Sequence, residues 1–165
     1  MSDDLQRLLQ RAEALLARVD ALLPGPGHQA VQPPDWAAST AFRYRRRGAS
    51  LLGGGWLEPV RQVATIHLDE LCEVDAQKER MVRNTAQFVA GRPANNMLLT
   101  GARGTGKSSL IKACLNQYAP QGLRLIEVDK DDLTDLPDII EVVAERPEKF
   151  MVYCDDLSFE DGEPG

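Results

Sequence analysis

The run Gly101-Ala102-Arg103-Gly104-Thr105-Gly106-Lys107-Ser108, followed by Ser109, narrows the folds open to this chain more than any other stretch. It fits G-x-x-x-x-G-K-[ST], a phosphate-binding loop. Side chains are scarce there because a polyphosphate is held by consecutive backbone N–H groups turned inward, and bulk would block the approach. Gly104 and Gly106 allow backbone angles that other residues avoid. Lys107 brings a compact ammonium to the β/γ-phosphates, and the Ser108 hydroxyl is a ligand for Mg²⁺. A helix starting at this point aims its N-terminal amides and the positive end of its dipole at the anion.

Such a loop works only between a strand and a helix, and the flanks predict both. "NNMLLT", residues 95 to 100, reads as a short buried strand. From Lys107 onward, Leu110, Ile111, Cys114, Leu115 and Tyr118 recur at helical spacing. Upstream, a helix is expected from Asp75 to about Ala90, closed by Gly91 and Pro93. Downstream, "LRLIEVD" (123 to 129) is a second strand. "LPDIIEVVAE" is a helix capped by Asp135 or Thr134, with Pro137 in its tolerant first turn. Strand and helix alternate, so the expected fold is α/β with a parallel sheet and flanking helices.

The acidic end of the chain supplies the second half of a site. Phe150 to Cys154 is apolar enough for a fully buried strand, and it runs into Asp155 and Asp156. A carboxylate at such a strand end holds Mg²⁺ opposite the loop hydroxyl, which assigns Asp155 to the metal beside Ser108. Asp156 then stands where a carboxylate would polarise the attacking water, with Lys107 as the other catalytic group. The cofactors expected are ATP and Mg²⁺.

Three segments, "LCEVDAQKERMVRNTAQFVAGRPANNMLLTGARGTGKSSLIKA", "GLRLIEVDKDDLTDLPDI" and "FMVYCDDLSFEDGEPG", resemble an uncharacterised family of bacterial AAA+ ATP-binding proteins over about residues 42 to 165. The resemblance implies a P-loop NTPase of AAA+ type. Gly101 to Ser108 would be its Walker A loop and Asp155 its Walker B metal carboxylate, with Asp156 where most AAA+ proteins carry a glutamate. It implies that residues 68 to 78 lie near adenine, with Glu73 in place of a common glycine. Relative to that family the chain ends nine residues after Asp156. The expected sheet is therefore incomplete at the C-terminus, without the sensor strand, the arginine finger or the helical lid. Hydrolysis belongs to the full-length family, and this chain is expected to act as a truncated, weakly binding fragment. A homo-oligomer is implied for the full-length protein.

Ahead of this unit (60–165), residues 3 to 23 place Leu5, Leu8, Leu9, Ala12, Leu15, Leu16, Val19, Leu22 and Leu23 on one helical face, giving an N-terminal amphipathic helix over 1–23. Residues 24–59 read as a Pro/Gly-rich linker with an aromatic and basic segment. In that segment Trp36, Phe42 and Tyr44 alternate with Arg43, Arg45, Arg46 and Arg47. The mixture can stack on bases and neutralise phosphates, or strap the segment onto an acidic surface of the same protein. Residues 127 to 165 carry 14 acidic and 3 basic side chains, whereas residues 1 to 126 carry 11 and 16. The client is thus an unidentified protein or a nucleic acid. The acidic loop "DKDDLTDLP" lacks the aromatic residue that polypeptide threading would use. No apolar run reaches the length of a membrane span, and the three widely spaced cysteines fit reduced thiols in a cytoplasmic protein.

Overall fold

The computed structural model describes residues 31–47, 54–72, 74–102 and 104–155. The N-terminal amphipathic helix predicted over 1–23 lies outside these residues, as do Glu73, Arg103 and Asp156. Five strands build one sheet: β1 (Val31–Gln32), β2 (Ala41–Arg46), β3 (Gly55–Pro59), β4 (Leu123–Glu127) and β5 (Lys149–Tyr153). Their spatial order is β1-β3-β2-β4-β5. All neighbours run parallel except the hairpin pair β2 and β3. The α helices are α1 (Asp75–Val89), α2 (Lys107–Tyr118) and α3 (Leu136–Ala144).

Alternation along the strands feeds two cores. On one face Ala41, Leu123 and Leu125 pack with Met81 of α1 and with Leu110, Ile111, Cys114, Leu115 and Tyr118 of α2. On the other, Phe42, Tyr44, Leu57 and Ile126 pack with Ile139 and Val142 of α3. Helices therefore cover both faces, as a parallel sheet requires. The chain crosses from β4 to β5 through a 3-10 turn (Lys130–Asp135) and α3.

Three expectations are corrected. The linker assigned to 24–59 instead contributes β1, β2 and β3 to the sheet. Phe42 and Tyr44 have no solvent exposure, and burying each such ring contributes about 1.5–3 kcal/mol. Gly55 lets that ring in: a Cβ there would overlap the Tyr44 ring and the Arg45 carbonyl.

The second correction concerns residues 95 to 100, which are extended but belong to no strand. Leu98 is 69% exposed and Leu99 alone of the six is half-buried. The third is β5, which is half-buried rather than fully buried, with Val152 exposed. One physical reason serves both: among the described residues β5 is paired on one edge only, and 95–100 on neither. A further detail differs at α3. Asp135 precedes the helix but makes no capping bond, because its carboxylate is engaged by β2.

Candidate functional site

The loop keeps the bend its glycines predict. Gly101, Gly104 and Gly106 all have positive φ, at 140°, 85° and 83°. Thr105 closes the turn internally, its hydroxyl donating to the Ala102 carbonyl at 2.8 Å. Gly106 stands at the N-cap of α2 in left-handed conformation, and its carbonyl accepts the first helical bond from the Leu110 N–H at 2.8 Å. With glycine there, no side chain caps the helix, and its first turn holds no carboxylate. The first-turn amides are thus left for an outside acceptor, at the end of the helix where an anion is favoured.

Lys107 folds back over this bend. Its ammonium donates to the Gly101 and Ala102 carbonyls at 2.8 and 2.9 Å. Those are neutral acceptors, and exchanging them for phosphate oxygens would replace ordinary hydrogen bonds by charge-assisted ones, roughly twice as strong. Gly101, Ala102, Gly104 and Thr105 are exposed, so the concave side of the loop is open to a ligand.

Ser108 joins the loop to the far end of the chain. Its hydroxyl donates to the Asp155 carboxylate at 3.3 Å, across 47 residues of sequence. The pairing predicted from the loop motif and the strand end is therefore present in space. The two oxygens suit a hard cation such as Mg²⁺, which takes one or two protein oxygens and completes its shell with phosphate and water. Among the described residues no group of three or more His, Cys, Asp or Glu side chains is placed to hold a metal ion. Ser109 lies half-buried behind Ser108 on α2.

One residue at this point escaped the sequence reading. The Tyr153 hydroxyl lies 2.9 Å from the Ser108 hydroxyl. Burial, together with the nearby Asp155, pushes its pKa up to about 12, so it stays a neutral phenol at physiological pH. The signal was available: Tyr153 and Asp155 are two apart at the end of an extended segment, hence on one side of it.

A cleft of about 280 Å³ opens beside this point, walled by Ser108, Tyr153 and Asp155 on one side and by Arg43, Arg45 and Glu127 on another. Lys112, one turn along α2, also lines it. The hairpin thus reaches the neighbourhood of the loop, although sequence alone placed it in a linker. Its cations are largely engaged. Arg43 binds Glu127 at 2.6 Å, directly across the β2–β4 pairing. Arg45 binds Glu58, and Arg46 reaches Asp132 and Asp135. Tyr44 donates to Asp135 at 2.8 Å. Of the two uses weighed for this basic segment, the strap onto an acidic surface of the same protein is the one the structure displays.

Side chains of both helices hold the backbone at and just ahead of residues 68 to 78, the stretch expected near adenine. Asn116 of α2 donates to the Ala64 and Ile66 carbonyls at 2.7 and 2.9 Å. Lys78 of α1 donates to the Leu68 and Leu71 carbonyls at 3.2 and 3.0 Å. Neither residue was singled out from sequence, since each acts on distant backbone.

The family described as "Protein of unknown function (DUF815)" matches residues 37–165. The chain belongs to this family. Its match begins ahead of β2, so the hairpin and the phosphate loop fall within one family unit rather than in a linker and a domain. No curated protein and no solved structure matches the chain. The family description carries no activity, and chemistry has to be argued from the site. The α/β fold is compatible with nucleotide binding, and among the described residues no helix is long and apolar enough to cross a membrane.

Proposed function

We propose that the protein binds Mg-ATP between the loop Gly101–Ser109 and the end of β5, and that it hydrolyses the nucleotide as an AAA+-type switch. Closure around the nucleotide would drive a conformational change on a protein or nucleic-acid client. The observation that carries this reading is the contact between Ser108 and Asp155. It brings a loop built for phosphate and a strand-end carboxylate to one point.

Each residue has a task in this scheme. The amides of 104 to 108 bind the phosphates, and Lys107 neutralises charge on their outer oxygens. Ser108 and Asp155 would hold the cation, which when bound would neutralise phosphate charge. Asp156, next after Asp155, is the carboxylate proposed to orient the attacking water and accept its proton. The nucleic-acid version of the client loses its main support, because Arg43, Arg45 and Arg46 are bound to carboxylates of this chain.

The test is thermal unfolding with and without Mg-ATP. Ligand at roughly 100 times its Kd stabilises the folded state by about 2.7 kcal/mol. The native chain should show a rise in midpoint that depends on ATP, and Lys107→Ala should show none. A variant stabilised as well as the native chain would remove the loop from the site.

A further inference from the structure

We propose that Tyr153 is a positioning residue for the metal-binding hydroxyl: it holds Ser108 so that one lone pair of Oγ stays turned to the cation. This rests on the Mg-nucleotide reading above and deepens it.

A serine hydroxyl has one proton to donate and two lone pairs to offer. The two partners of Ser108 Oγ are the Asp155 carboxylate at 3.3 Å, to which it can donate, and the Tyr153 hydroxyl at 2.9 Å, where either oxygen can donate. Asp155 is a partner of the Tyr153 hydroxyl as well, so the three groups form one triangle. Two partners, together with Cβ, hold Oγ in one staggered position whichever hydroxyl donates, and at least one lone pair is left for a cation. Without the tyrosine, the hydroxyl could swing about its contact with Asp155 and sample other staggered rotamers.

The tyrosine is suited to hold rather than follow. Its ring packs against the core cluster formed under α2 by Leu110, Ile111, Cys114 and Leu115. An aromatic side chain has only two rotatable bonds, and this one is half-buried against the core. The hydroxyl is thereby fixed relative to β5, the strand that also delivers Asp155. Tyr153 ends β5 and Asp155 follows two residues on, while Ser108 lies in the first turn of the helix that follows the loop. Outer partners that orient a metal ligand typically change metal affinity by about 10- to 100-fold when removed. A hydroxyl supplying one of several ligands should fall at or below the lower end of that range.

The experiment uses the full chain with Tyr153→Phe, which keeps the ring in the core and removes only the hydroxyl. Thermal stabilisation by ATP is measured across a series of free Mg²⁺ concentrations, and again with EDTA. The expected result is a half-saturating Mg²⁺ concentration raised by about 3- to 10-fold, with stabilisation by ATP in EDTA unchanged. In a Ser108→Ala background the same Phe substitution should shift nothing further, because the oxygen it orients is gone.

An unchanged Mg²⁺ titration in Tyr153→Phe, with ATP stabilisation intact, would overturn the role. An equal shift with and without Ser108 would overturn it too, assigning the hydroxyl to packing alone. A native chain that ATP stabilises under neither metal condition would strike the nucleotide reading itself and this role with it, an outcome separable from the other two.

Discussion

The two flanks of the sheet differ in a way that runs against their apparent importance. The hairpin flank, β2 with β3, carries no recognisable motif, yet its Phe42 and Tyr44 are sealed from solvent. The glycine-loop flank carries the motif, yet Leu98 before the loop is 69% exposed and Val152 of β5 is 38% exposed. Apolar content does not separate them, since both are rich in large apolar residues. Pairing does. β2 has neighbours on both edges, β5 on one, and residues 95 to 100 on none among the described residues. Pairing inclines a strand to the core and cover over its faces completes it: Val31 on the edge strand β1 is sealed, whereas Trp56 on the inner strand β3 is 39% exposed.

The harshest test of this difference is Phe42→Ala. Its strand lies between β3 and β4, and its ring, packed on the face covered by α3, meets Trp36 edge-on at 5.0 Å. Removing it should cost about 3–5 kcal/mol, a large part of the roughly 5–15 kcal/mol that holds an ordinary domain folded. Urea unfolding would read this as a lower midpoint with unchanged slope. A loss below about 1 kcal/mol would mean that the hairpin is an ornament, and the contrast between the flanks would fail.

A second test sharpens how the hairpin is fastened. Asp135 receives the Tyr44 hydroxyl and the Arg46 guanidinium, both at 2.8 Å. The bond from Arg46 and the further one from Tyr44 hold its pKa below the ordinary 3.8. A depressed carboxyl pKa means that the folded state binds the proton less readily than the unfolded chain. The stabilisation is therefore complete above about pH 4 and is lost as pH falls through the lower folded value. Asp135→Asn should be less stable than the native chain at neutral pH, and the gap should close on acidification below about pH 4. Unfolding midpoints taken across that range would show it. A constant gap at every pH would mean that Asp135 acts by shape rather than by charge.

These contrasts also show what was legible in the sequence. The loop, α2 and the pairing of Ser108 with Asp155 could be read because each depends on local spacing or on a strand end. The hairpin carried its own local signal as well. In "AFRYRR", Phe42 and Tyr44 alternate with Arg43 and Arg45, the period of a half-buried strand. The run of cations hid that period by suggesting a binding arm. Where those cations go could not be read at all, since Glu127 is 84 residues from Arg43 and meets it only through the parallel pairing of β2 with β4. For 95 to 100 the error had the opposite sign. Met97, Leu98 and Leu99 have the composition of a buried strand, but composition does not supply a neighbour. Tyr153 was missed because a tyrosine in an apolar run looks like core, and its ring is indeed packed there. Only its hydroxyl belongs to the site.

The mildest change tests the other side of the comparison. Leu98→Ser replaces a large apolar side chain two residues before the threonine that leads into Gly101. Were this residue core, the loss would be about 2–5 kcal/mol, as for other deletions of a buried leucine. With 69% of it exposed, the change should fall within about 0.5 kcal/mol of zero in urea unfolding. Amide exchange across 96 to 100 should be fast in the same sample, because no strand partner protects these groups among the described residues, whereas the Asn95 N–H is held by Asn84 Oδ1 at 3.0 Å. Slow exchange together with a large loss would place a neighbour against this segment. The loop flank would then be as well covered as the hairpin, and pairing would no longer account for the difference between them.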